Sequence, residues 1–196
     1  MSSAHTPADQ GSGLAPNEVD RLRWLGALMA LAGAFGVIFS CLNWLTVRPV
    51  NNDGAWVSLT GLGSVASSGL PRELNDFADI KTVMADHGTA GGAWTLAFGA
   101  LLLISSIPLL MRRNQVSGAA AGLIFSLAST ITCFVYLDSP ANGVLDSDAT
   151  KGLERAAGVA ADLSTGYGLW TVLIVSIIGI ATSGFALGLS LARRGY

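Results

Sequence analysis

The stretch Ile104-Ser-Ser-Ile-Pro-Leu-Leu-Met-Arg-Arg-Asn-Gln-Val-Ser-Gly118 decides how the chain is read. One uncharged run ends, Arg112 and Arg113 follow, and a second uncharged run starts within a few residues. An α-helix needs about 20 apolar residues to cross a hydrocarbon layer of about 30 Å. Two such runs around a short basic turn read as a membrane hairpin whose turn faces the cytoplasm, because short cytoplasmic loops carry the excess of Lys and Arg.

The same logic extends outward. Asp, Glu, Lys and Arg are absent from four segments, about 24–47, 93–111, 117–137 and 169–192. The 196 residues are 51% hydrophobic and 12% charged, with a mean hydropathy of +0.54; a soluble domain carries about 25% charged residues. Arg21 and Arg23, Arg112 and Arg113, and Arg193 and Arg194 fall on one side if the spans alternate. This places both termini in the cytoplasm of a multi-pass membrane protein. Residues 1–20 are polar and rich in Gly, Pro and Ser, and read as a disordered cytoplasmic tail ahead of a single membrane domain, 21–196. Two long outer segments, 48–92 and 138–168, hold most of the carboxylates. Aromatic side chains favour the headgroup level: Trp44, Trp94, Tyr136 and Trp170 mark the outer ends of spans one to four, and Trp24 an inner end.

The expected fold is an all-α membrane protein, a four-helix bundle with a small extracytoplasmic cap of one short strand and one or two short helices. Ala55-Trp-Val-Ser-Leu-Thr60 supplies the strand through its β-branched and aromatic content. Pro71, Glu73, Leu74, Phe77 and Met84 have the signals of a first cap helix. About Asp148 to Leu163, with Leu153, Ala156 and Val159, reads as a second.

Between helices in lipid, close approach through small residues drives association. Gly118, Gly122, Ser126 and Thr130 form such a stripe in span three, Gly184 and Gly188 in span four, and Ala32, Gly36 and Ser40 in span one. Their expected partners are one another and other integral membrane subunits, beside the surrounding lipids.

Several chemistries are disfavoured. No ionisable side chain lies mid-span, where transporters and proton relays place one. Both histidines, His5 and His87, lie outside the spans, so haem ligands are missing, and Cys41 and Cys133 lack metal-site spacing. Both cysteines lie near outer span ends, at similar expected depth. Gly61-Leu-Gly63-Ser-Val-Ala66 matches a dinucleotide-binding spacing without the surrounding βαβ unit. No catalytic, cofactor-binding or metal-binding residue is therefore expected, and the net charge of −2 without a basic face argues against nucleic acid.

Four spans with a strand opening the long first outer loop resemble claudin-type tetraspan proteins. Trp56-Val-Ser-Leu59 stands where that family has a Gly-Leu-Trp motif, but its outer cysteine pair is missing. In size, topology and Ala- and Gly-rich composition the chain also resembles small accessory membrane subunits of the actinobacterial cytochrome bcc–cytochrome c oxidase supercomplex. That resemblance implies a non-catalytic accessory subunit, its acidic outer loops meeting an extracytoplasmic protein partner. Two alternatives are a small transporter or lipid-handling protein, and a claudin-like adhesion or scaffold protein.

Overall fold

The structure, a computed structural model, describes residues 16–49, 54–68, 82, 84–139, 141, 144–146, 148, 151 and 161–192. Four helices are long and apolar enough to cross a membrane: α1 (Pro16–Ser40), α2 (Gly92–Leu110), α3 (Gln115–Asp138) and α4 (Tyr167–Ala192). They form a closed ring in which α1 packs on α2 and α4, and α3 packs on α2 and α4. Leu22, Met29, Ala32, Leu102, Leu109 and Ala186 belong to its apolar interior.

The turn at the centre of the hairpin is tight. Arg113 N–H donates to Pro108 O and Arg112 N–H to Leu109 O, the two bonds of a Schellman motif that satisfies the last carbonyls of α2. Arg112 holds φ 58° and Asn114 φ 47°. Asn tolerates this left-handed region, whereas at the Arg112 position glycine is usual. Arg21 and Arg23 lie at this same end of the bundle, since Gly26 abuts Leu109 and Leu110.

At the other end the cap is a four-stranded antiparallel sheet, ordered β3-β2-β1-β4. Its strands are β1 (Asn43–Pro49), β2 (Trp56–Thr60), β3 (Val65–Ser68) and β4 (Ala161–Thr165). This corrects an all-α expectation in three places. Span one was expected to run to 47, but α1 stops at Ser40; its last turn tightens through Cys41 N–H to Ile38 O and Leu42 N–H to Phe39 O, and the apolar Asn43-Trp-Leu-Thr-Val47 becomes the centre of the sheet. Trp44, expected at the headgroup level, is 1% exposed. Ala161–Leu163, expected at the end of a helix, belong to β4, where Val47 pairs with Leu163. The helix α1 also starts at Pro16, inside the stretch read as tail. Most of the two expected cap helices lies outside the described residues, as do residues 1–15 and Arg193 and Arg194; of the first helix, Met84 is helical and fully buried.

Strand β2 forms where the β-branched and aromatic content predicts it. The dinucleotide-like spacing at its end is a hairpin turn: Gly63 N–H donates to Thr60 O and Thr60 N–H to Ser64 O, with Gly63 at φ +82°. Gly61 has no room for a side chain, because a Cβ would fall 2.7 Å from the Trp44 ring.

Candidate functional site

The cap is knit from both outer segments. Register slips at Trp44 in the β1–β2 pairing; the extra residue of such a bulge lets two neighbours turn the same way, and Trp44 and Leu45 are both buried. With Val47, Val57 and Leu59 from the sheet, Met84 and Val144 from the outer segments, and Leu169, Val172 and Cys133 from α4 and α3, they make one apolar cluster. It joins sheet to bundle. Tyr136 packs on Trp44 at a centroid distance of 5.7 Å, while Trp94 and Trp170 are exposed at the cap ends of α2 and α4.

A second tie crosses between the outer segments. Gly88 pairs with Leu145 in an isolated antiparallel bridge, Thr89 N–H donates to Val144 O, and Asp146 N–H donates to His87 O. The His87 ring closes this clamp, its Nδ1 lying 2.7 Å from Asp146 Oδ2. The hydrogen bond to Asp146 raises the His87 pKa above 6.5, the Asp146 charge adds to it, and Asp86 and Asp148 contribute further. His87 was legible only as a loop histidine, because its partner is 59 residues away.

The opposite face of the sheet is polar, as one face of a half-buried antiparallel sheet should be. It is also concave, forming a recess of about 590 Å³ whose lining includes Thr46, Arg48, Trp56, Ser58 and Cys41. Arg48 is exposed and forms no ion pair among the described residues. Asn43, the most polar residue expected within a span, instead opens β1 and donates through Nδ2 to Thr46 Oγ1 at 2.8 Å.

The small residues singled out from sequence divide into two groups. A side chain on Gly118 would collide with Ser105 O, and one on Gly122 with Met29 and the Ser183 hydroxyl. Gly36 faces Gly99 across the α1–α2 seam, and Ala32, Ser40, Ser126 and Thr130 are buried. Ser40 and Thr95 share a hydrogen bond of 2.8 Å, and Ser129 and Ser176 one of 2.7 Å. Gly184 and Gly188, in contrast, have open space where a side chain would stand. Sequence reasoning missed Gly33, Gly99 and Gly179, whose missing side chains let α1, α2 and α4 approach their neighbours most closely.

Cys41 is exposed at the helix–strand junction and Cys133 is buried in the cap core; both are free thiols. Among the described residues, no group of three His, Cys, Asp or Glu side chains is arranged to hold a metal ion. No family model matches the chain, and no curated protein is significantly similar to it.

Proposed function

We propose that this chain is a non-catalytic accessory subunit of a larger membrane complex, inserted with the Arg21, Arg23, Arg112 and Arg113 end in the cytoplasm and the sheet cap outside. The observation that carries this reading is the unequal use of glycine. Within the bundle, Gly33, Gly99, Gly118 and Gly122 are filled against by neighbouring helices. On α4, a side chain at Gly184 or Gly188 would meet nothing within 4 Å among the described residues, and both lie on a side with exposed Ala181 and Phe185. A helix face of small residues binds another helix closely in lipid, so a helix of another subunit is the natural occupant. By size and composition a bacterial respiratory supercomplex is the candidate host.

Purification in mild detergent with crosslinking mass spectrometry tests this. The native chain should co-purify with a membrane partner crosslinked near α4, and Gly184→Leu with Gly188→Leu should release it without unfolding the bundle. A native protein that emerges alone and monodisperse overturns the proposal. One observation favours a second reading, a claudin-like scaffold: the sheet draws strands from both outer segments onto a four-helix bundle. That reading requires chains to meet through their caps, so Ser68→Cys, exposed on the edge strand β3, should crosslink between adjoining vesicles, and a complete lack of crosslinking removes it.

A further inference from the structure

We propose that the concave face of the sheet binds an oxyanion, the phosphate of a lipid headgroup at the outer membrane surface. The lipid source rests on the orientation proposed above; the anion site rests on the recess alone. A fully solvated sheet face would need no further account, but two residues of the floor here are largely withdrawn from solvent. Ser58 is 4% exposed and Thr46 8%, and both line the recess. The Ser58 hydroxyl forms no hydrogen bond among the described residues and opens onto the recess, so its proton is free for an acceptor bound there. Thr46 Oγ1 accepts from Asn43, which leaves its own proton to donate into the recess. Arg48 adds a guanidinium that forms no ion pair among the described residues at the same place.

The lining thus offers donors beside one buried acceptor that has no partner among the described residues, Asn43 Oδ1, and no carboxylate is among the described residues that form it. A planar guanidinium fork beside hydroxyl donors suits a phosphate or carboxylate oxyanion. Asp162, opposite Arg48 in the β1–β4 register, is exposed and outside the lining; it weakens the anion site without occupying it. Cys41, Leu42 and Tyr167 close the recess where α1 ends and α4 begins. With those helices in a bilayer, the recess opens at headgroup height.

Cys41 supplies the readout, because it lines the recess and is exposed while Cys133 is buried. In maltoside micelles, full-length protein is alkylated with a maleimide in the presence of dioctanoyl phosphatidylglycerol, dioctanoylglycerol or inorganic phosphate. Each variant's rate is normalised to its ligand-free value. Phosphatidylglycerol should slow Cys41 alkylation severalfold, and Arg48→Gln should raise the half-protecting concentration about tenfold, the loss of one charge-assisted contact. Ser58→Ala should raise it less and Asp162→Asn should lower it. Continued protection of Cys133 confirms that each variant is folded. Equal protection by dioctanoylglycerol, which lacks the phosphate, protection insensitive to Arg48→Gln, or no protection at all overturns the site. Equal protection by inorganic phosphate overturns the lipid source. Micelles expose both faces, so an inverted topology would leave these results unchanged and would be seen separately, as Cys41 failing to label from outside intact cells.

Discussion

Gly33→Ala should separate α1 from α2. A Cβ at this position falls 2.6 Å from Leu103 N, 2.7 Å from Gly99 O and 2.9 Å from Leu103 Cα. All three are backbone atoms, so no side-chain rotation makes room. Carbon contacts settle at about 3.5–4.0 Å, which requires the two helices to part by roughly 1 Å along this seam. Overpacking of this kind costs about 1–3 kcal/mol, against which alanine gains up to about 1 kcal/mol of helix propensity over glycine. With the full propensity gain subtracted, the expected net loss centres on about 1 kcal/mol. Gly188→Ala is the internal control: it meets nothing within 4 Å, so only the propensity gain of up to about 1 kcal/mol should remain in the isolated chain. Titration of the purified protein with SDS in mixed micelles, followed by far-ultraviolet circular dichroism and by Cys133 alkylation, measures both. A Gly33→Ala protein as stable as the native one, or a Gly188→Ala protein equally destabilised, would falsify this account of the seam.

The remaining predictions concern the turn and the cap. Arg112→Gly should stabilise the α2–α3 turn by about 1 kcal/mol, since the left-handed conformation costs an L-residue roughly that much; the same SDS titration reads it, and a loss of stability would show that the Arg112 side chain matters more than its backbone. Trp44→Ala should cost about 3–5 kcal/mol through the cavity it leaves in the cap core, seen as alkylation of Cys133 in milder conditions than in the native protein. The His87–Asp146 clamp stabilises the folded cap through a histidine pKa raised on folding. Its contribution is therefore complete below pH 6.5, the ordinary histidine value, and is lost as pH rises through the higher folded value. Amide exchange of Thr89 and Asp146 should quicken as pH rises through that window, beyond its intrinsic base catalysis, and Asp146→Asn should abolish the excess.

Legibility varied with the range of the forces involved. In the candidate site, the packing role of Gly118 and Gly122 followed from a four-residue spacing within one helix, because residues at that spacing share a face. Gly33 and Gly99 have no comparable stripe to announce them; each is needed only because the other helix passes there. The clamp and the recess were invisible for the same reason. His87 and Asp146, or Arg48 and Ser58, are polar residues of ordinary loops and strands until the two outer segments meet.

The sequence by itself located three long apolar helices to within two residues: 93–111 against Gly92–Leu110, 117–137 against Gln115–Asp138, and 169–192 against Tyr167–Ala192. Burial of a helix in hydrocarbon is a local, additive property of its own side chains, so a run of uncharged residues is enough. Tertiary structure alone decided the end of the first span. Asn43-Trp-Leu-Thr-Val47 carries no charged residue, so the uncharged run continues straight across Ser40. It becomes a strand because β2 and β4 offer its backbone hydrogen bonds on both edges. Those partners lie in both outer segments, one of them more than a hundred residues along the chain.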